Sequence, residues 1–324
     1  MCRQLKGGGM EINMDFVKGI TFAPFYRRGA LDTNEARESF DYMIEHTGAD
    51  FVILAPAGLQ ATAHSEDICY TSSATLSDEE IIGMIRYAKK RGIRVALKPT
   101  VNCKNGVWRA YISFFERDVI CEPKWSRWFS SYTEFQTHYA DIAEAEGCEM
   151  FITGCEMVMS EHREEEWRQV IGEVRKHYTG MVSYNTDKYQ EDNVTWWDCL
   201  DVISSSGYYP IDRWEQELDR IEHVVEKYQK PFFFSEAGCM SRTGSKNVPN
   251  NWEIQGELRL EEQTEWYQAM FEACSRRKWV NGFALWEWAP FVPDSARAVK
   301  DSSYQICKKP VQEIIRKWYG YDWI

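Results

Sequence analysis

The sequence predicts an α/β protein folded as a single-domain (β/α)8 TIM barrel. Three observations predict it: eight short apolar runs, amphipathic helical spacing between them, and glycines where helices must turn back. The runs lie at 19–24, 50–56, 93–99, 149–156, 180–185, 201–207, 231–236 and 281–287. Near-continuous apolarity marks parallel strands covered on both faces. Every interval between runs has room for a crossover helix except the one after 185, where an abbreviated helix is expected around 191–200.

The helical stripes are explicit. Trp214, Leu218, Ile221 and Val225 recur at steps of three and four, as do Trp167, Val170, Ile171 and Val174. Asp32-Thr33-Asn34-Glu35 and Ser77-Asp78-Glu79-Glu80 carry the cap-x-x-Glu form, in which cap and glutamate each satisfy a free backbone N–H. Gly48, Gly92, Gly147 and Gly180 stand just before the second to fifth strands, where a left-handed residue ends a helix. A last helix near 310–319 is expected to seal the ring, so that the barrel occupies 16–324 after a flexible lead-in at 1–15. The runner-up, an open doubly wound sheet, usually shows GxGxxG after its first strand, and here that strand runs into Phe25-Tyr26-Arg27-Arg28-Gly29.

Composition narrows the function. With 38 basic and 50 acidic side chains the formal charge is −12, and the basic runs are short, which argues against a nucleic-acid partner. No apolar stretch approaches the roughly 18 residues of a membrane span, and the lead-in lacks an apolar signal core. The ten cysteines contain no CxxC, so reduced, mostly buried thiols and a cytoplasmic location are expected. The six histidines form neither HxH nor HExxH, no GxSxG elbow is present, and no metal or cofactor is expected. Core packing is expected to take most of the 47 aromatic side chains (14 Trp, 17 Tyr, 16 Phe), and a minority are assigned to a cleft for ligands with an apolar face and polar edges, as sugars have.

Reactive groups of such a barrel project from the C-terminal ends of its strands. Two windows end in glutamate, Glu156 after the fourth run and Glu236 after the seventh, and a carboxylate closing an apolar run is costly unless paired or employed. Two carboxylates across a cleft suit glycoside hydrolysis, one protonating the departing oxygen while the other attacks the anomeric carbon. Glu287, between Trp286 and Trp288, is a third candidate with a substrate-contacting or structural role. Lys98 ends the third run and is expected to bind sugar hydroxyls or pair with a catalytic carboxylate. Trp286 is placed to floor the reacting-sugar subsite, and Trp108, Trp196 and Trp197, in loops, are expected to form outer subsites.

Taken in order, Gly19-Ile20-Thr21-Phe22-Ala23-Pro24, Leu54-Ala55-Pro56 with His64-Ser65-Glu66, Leu97-Lys98-Pro99, Gly154-Cys155-Glu156, Phe234-Ser235-Glu236 and Trp286-Glu287-Trp288 resemble glycoside hydrolase family 113. The resemblance spans nearly the whole barrel. It implies a retaining clan A enzyme acting on β-1,4-mannan or manno-oligosaccharides, with transglycosylation as a further outcome, Glu156 as acid/base in an apolar setting and Glu236 as nucleophile. It also implies that Tyr208 hydrogen-bonds the nucleophile and that His64 contacts the sugar. Many clan members place Asn before the acid/base to hold the sugar 2-hydroxyl; this chain has Cys155, and Asn185 after the fifth strand is the nearest replacement donor, unless it caps the following helix. The alternatives are a retaining glycanase acting on another β-linked polysaccharide and a catalytically silent carbohydrate-binding barrel.

Overall fold

The computed structural model describes residues 14–323, so the lead-in expected at 1–15 lies, but for its last two residues, outside the described residues. Ten strands follow in chain order: β1 (Val17–Phe22), β2 (Phe51–Leu54), β3 (Ala57–Gln60), β4 (Arg94–Leu97), β5 (Thr100–Cys103), β6 (Met150–Cys155), β7 (Met181–Thr186), β8 (Val202–Ser206), β9 (Phe232–Ala237) and β10 (Val280–Trp288). Eight of them close a parallel barrel in the order β1-β10-β9-β8-β7-β6-β4-β2, each overlapping one of the eight apolar runs. The helices are α1 (Asn34–Thr47), α2 (Asp78–Lys90), α3 (Trp125–Ala145), α4 (Glu164–His177), α5 (Trp214–Tyr228), α6 (Leu260–Cys274), the short α7 (Ser295–Ala298) and α8 (Val311–Tyr319). Among the described residues no helix is long and apolar enough to cross a membrane.

Strand pleating splits the core in two. Inside the barrel lie Val17, Phe51, Ile53, Ala96, Met150, Ile152, Val202, Phe233 and Ala284, while the alternate residues, such as Val52, Leu54, Phe151, Ile203 and Phe234, pack outward under the helices. The outer layer is aromatic: Trp128 stacks on Tyr132 at 4.7 Å, and Trp167 on Trp196 at 5.0 Å.

Four local expectations are corrected. The Ser77 cap forms the full reciprocal box with Glu80, but α1 is capped by Thr33, whose hydroxyl accepts from the Ala36 N–H, and not by Asp32. Gly48, Gly92 and Gly147 are left-handed, whereas α4 ends on extended Tyr178 and Gly180 has no positive φ. Gly180 answers a different demand, because a Cβ there would lie 2.3 Å from the Tyr178 hydroxyl. The helix expected around 191–200 is a single 3-10 turn, Trp197–Cys199.

The fourth correction shapes the site. Pro56 and Pro99 read as strand ends because proline lacks the N–H a ladder needs. The chain instead continues beyond each as β3 and β5, which pair in parallel from Ala57↔Thr100 to Gln60↔Cys103. The ribbon extends the β2–β4 pair above the barrel rim, and the loop after it carries Trp108 and Arg109.

Candidate active site

The barrel interior turns from apolar to polar toward the C-terminal ends of its strands. Inward positions on β7 pass from Met181 to Ser183 and Asn185, and on β8 from Val202 to Ser204 and Ser206; the Ser204 hydroxyl accepts from those of Ser183 (3.0 Å) and Ser235 (2.9 Å). The pairing register slips between Ile152 and Cys155 on β6, and beside β9 where Ser206 faces Glu236 rather than Ser235. Such irregularities re-aim side chains at barrel rims. Within the first slip Gly154 has φ +134°, and a Cβ there would meet the Tyr132 hydroxyl at 2.5 Å. Glu156 itself adopts φ 53°, a left-handed backbone that non-glycine residues rarely hold, fixed by its N–H donating to the Asn185 carbonyl at 2.7 Å.

Glu236 is 6% exposed and fully engaged. Lys98 Nζ donates to its Oε2 at 2.8 Å, Tyr208 Oη donates to Oε1 at 2.8 Å, and the Cys155 thiol donates to Oε2 at 3.6 Å. Burial alone would push this carboxyl up; the charges of Lys98 and then Arg109 outweigh it and hold the group below its ordinary range. Burial likewise opposes the charge on Lys98, and the ion pair with Glu236 more than compensates, so its pKa is raised. Tyr208 is held protonated, by burial first and then by the negative charge of Glu236, which keeps it a donor.

Glu156 is 5% exposed and accepts three hydrogen bonds: Arg109 Nη1 at 2.8 Å and Trp108 Nε1 at 3.0 Å on Oε2, and Ser206 Oγ at 2.8 Å on Oε1. The apolar setting expected for it is therefore absent, since three polar donors surround it. One network joins the two carboxylates. Lys98, on Glu236, donates to Asn185 Oδ1 (3.1 Å); Asn185 Nδ2 donates to Ser206 Oγ (2.9 Å); Ser206 donates to Glu156. Both acids thus share one site at the C-terminal ends of the barrel strands.

The structure gathers Glu156, Glu236, Lys98, Asn185, Tyr208 and Trp108 into that network. Asn185 caps no helix, and its amide is spent on Lys98, Ser206 and the Thr186 carbonyl. Trp286, half-buried, lies beside it with its ring 5.9 Å from Lys98 Nζ and 5.5 Å from the Phe25 ring. Glu287 is half-buried and accepts from Gln305 at 3.0 Å; burial, then the charge of Glu236, pushes it up to about 7.

Two expected contacts fall elsewhere. Trp196 is fully buried, stacked on Trp167 and donating its indole N–H to the Glu161 carbonyl, because the missing helix lets this loop fill the outer core; Trp197 is buried beside it. Neither has a free face for a sugar. His64 is exposed on its loop, with Nδ1 2.8 Å from the Ser113 carbonyl, and among the described residues it hydrogen-bonds to neither carboxylate.

Sequence reasoning missed Arg109, Ser206 and the Asp187-Lys188 pair. Arg109 also donates to the Val101 carbonyl and Asn102 Oδ1, so β5 holds it in place. Asp187 and Lys188 are buried at the end of β7 and ion-pair at 3.2 Å; burial, then the charge of Glu156, pushes Asp187 up to about 7. A lysine beside an acid after a strand was the available signal. Among the described residues no group of three or more His, Cys, Asp or Glu side chains is placed to hold a metal ion.

Comparison with known proteins bears directly on this geometry. The family model described as Glycoside Hydrolase Family 113 matches residues 20–309. A solved family 113 β-1,4-mannanase is 52% identical, with a TM-score of 0.94 over 95% of this chain and 100% of its own. The family 113 β-mannanase AaManA from Alicyclobacillus acidocaldarius, solved in complex with ManMIm, is 39% identical, with a TM-score of 0.92 over 96% of this chain and 99% of its own. A β-D-glucuronidase from Dictyoglomus thermophilum, 18% identical with a TM-score of 0.64 over 96% of this chain and 51% of its own, shares the fold alone. No curated protein matches the chain.

Proposed function

The chain belongs to glycoside hydrolase family 113, and from that membership we propose that it cleaves β-1,4-mannosidic bonds in mannan or manno-oligosaccharides by double displacement. The observation that carries the reading is the pair of buried glutamates joined through Lys98, Asn185 and Ser206, one of them held ionised by a cation. In the first step Glu236 attacks the anomeric carbon as the glycosidic C–O bond breaks, and Glu156 gives its proton to the departing oxygen. An ester between Glu236 and the sugar results. In the second step Glu156 removes a proton from water, the water oxygen attacks the same carbon, and Glu236 leaves as carboxylate. Two inversions retain the anomeric configuration.

Each neighbour has a part. Lys98 and Tyr208 keep Glu236 ionised and fix its orientation; Trp286 offers the sugar an apolar face beside it. Arg109, Trp108 and Ser206 hold Glu156 in place. Asn185, both of whose amide N–H groups are used within the protein, organises the network rather than donating to the sugar 2-hydroxyl.

The test is incubation with mannan, cellulose, xylan and their oligosaccharides, with product anomers followed by NMR. β-Configured first products from mannan are expected. α-Configured first products overturn the mechanism, and turnover of glucan alone overturns the substrate.

A further inference from the structure

The donors to both acids stand close together in the chain. Ser206 donates to Glu156 and Tyr208 to Glu236, each at 2.8 Å. Strand β8 ends at Ser206. The Gly207 N–H still reaches the Glu236 carbonyl at 2.7 Å, and Tyr208 lies beyond it, so regular strand pairing does not account for where its hydroxyl is held.

The flanking residues, Ser205 and Tyr209, turn the other way, out of the barrel, and meet one carboxylate there. Glu191 is fully buried, and its Oε1 accepts from Ser205 Oγ at 2.5 Å and from the Tyr209 hydroxyl. Its Oε2 accepts from Arg220 Nη2 on α5 at 2.7 Å. Burial, then the charge of Glu191, keeps the Tyr209 hydroxyl protonated and therefore a donor. The other acids around this ion pair are Glu217 and Asp192, which pair with Arg220 at 2.8 and 3.4 Å, and Glu161.

Glu191 takes no part in either reaction step, yet a buried carboxylate is costly unless it is employed. It belongs to the segment between β7 and β8 that lacks a crossover helix, and its carbonyl accepts from the Trp197 indole N–H at 2.9 Å. Arg220 already balances its charge, so Ser205 and Tyr209 are not needed for that purpose. What their bonds do is fix the strand end at two points four residues apart. Side chains alternate along this stretch, and a segment held at 205 and 209 on the outside presents 206 and 208 to the inside.

We propose that Glu191 is a positioning residue of the reaction: by anchoring Ser205 and Tyr209 on one oxygen it sets Ser206 against Glu156 and Tyr208 against Glu236, so that a single group outside the barrel governs the placement of both acids. This role rests on the hydrolase reading above. It gives the buried charge a use and explains why the helix-free segment is drawn in against β8.

The test measures Glu191→Gln, and the double variant Ser205→Ala/Tyr209→Phe that leaves the Glu191–Arg220 pair in place, on mannotetraose and on β-mannobiosyl fluoride. In both variants kcat for mannotetraose is expected to fall about tenfold with KM within about twofold of wild type, because the acids are displaced and not the sugar contacts. The loss on the fluoride is smaller, since fluoride departs with little need of a proton from Glu156. Weakening the Tyr208 bond removes support for ionised Glu236, so the acid limb of kcat/KM for the fluoride moves up by about half a pH unit. In a Tyr208→Phe background Glu191→Gln moves that limb no further. The role stands only if both readings move. Equal losses on the two substrates, an acid limb at its wild-type position, or wild-type kinetics in the variants each overturn it, and if Glu191→Gln does not fold, the double variant decides by the same readings. Wild-type protein inert on both substrates overturns the hydrolase reading, and this role with it.

Discussion

Glu236 and Glu161 are both buried, at 6% and 2% exposure, yet their carboxyls are driven in opposite directions. Glu236 faces Lys98 at 2.8 Å, with Arg109 close by, and is held below its ordinary range. Glu161, on the loop after β6, accepts from the neutral hydroxyls of Tyr184 and Thr186, each at 2.7 Å, and has Asp187 and Glu191 as charged neighbours; burial pushes it up to about 8. The desolvation cost is common to both, so the neighbouring charge decides the sign. In one barrel the same residue type is a ready nucleophile on one strand and a neutral hydrogen-bonding acid on the loop after another.

The largest effect comes from removing the nucleophile. Glu236→Gln is expected to lower kcat on mannan by roughly 10³-fold or more, the scale on which loss of a positioned catalytic group is felt. Glu236→Ala supplied with azide should recover turnover and release a glycosyl azide of inverted configuration, detected by NMR. Full activity in either variant without azide would remove Glu236 from the reaction.

Removing the cation tests the sign directly. In Lys98→Met the burial of Glu236 goes unopposed by its nearest charge, its pKa rises, and the nucleophile is protonated over more of the acid range. The acid limb of the kcat/KM profile should move to higher pH, with a loss of about 10²-fold at its former optimum. An acid limb left in place would mean that hydrogen bonding, and not charge, holds Glu236 ionised.

Glu161 should report through stability rather than rate. Its folded pKa, about 8, lies above its ordinary value of 4.5, so the folded protein keeps the proton where the unfolded chain has lost it. Its contribution is fully present below about 4.5 and is lost as pH rises toward 8. Glu161→Gln, which cannot ionise, should flatten this part of the denaturation midpoint against pH, a difference on the order of 1 kcal/mol per pH unit between pH 5 and 8. Parallel curves for the two proteins would show that Glu161 is ionised in the folded state.

The barrel and its two acids were legible because both are written locally. Runs such as 231–236 encode a buried strand in consecutive residues, and an acid closing such a run, as Glu236 does, announces its own cost. What sequence did not disclose depends on distant partners. Nothing in Asn105-Gly106-Val107-Trp108-Arg109 indicates that Arg109 will meet Glu156, because that contact requires β3 and β5 to continue past Pro56 and Pro99. Trp108 and Trp196 look alike in sequence, both being tryptophans in loops after strands. The first is lifted over the mouth by the β3–β5 ribbon, while the second sinks where a crossover helix is missing.

The smallest predicted effect is also the most discriminating. Tyr208→Phe removes a neutral donor from Glu236 Oε1 while Lys98 remains on Oε2, and the ring can keep its packing against Tyr304. If charge dominates, kcat/KM falls only about tenfold, near the worth of one hydrogen bond to a charged group, and the acid limb moves up by less than in Lys98→Met. A shift equal to or larger than that of Lys98→Met would reverse the order, making the tyrosine the group that keeps Glu236 ionised. The contrast with Glu161, which two hydroxyl donors do not prevent from titrating near 8, argues that the order will hold.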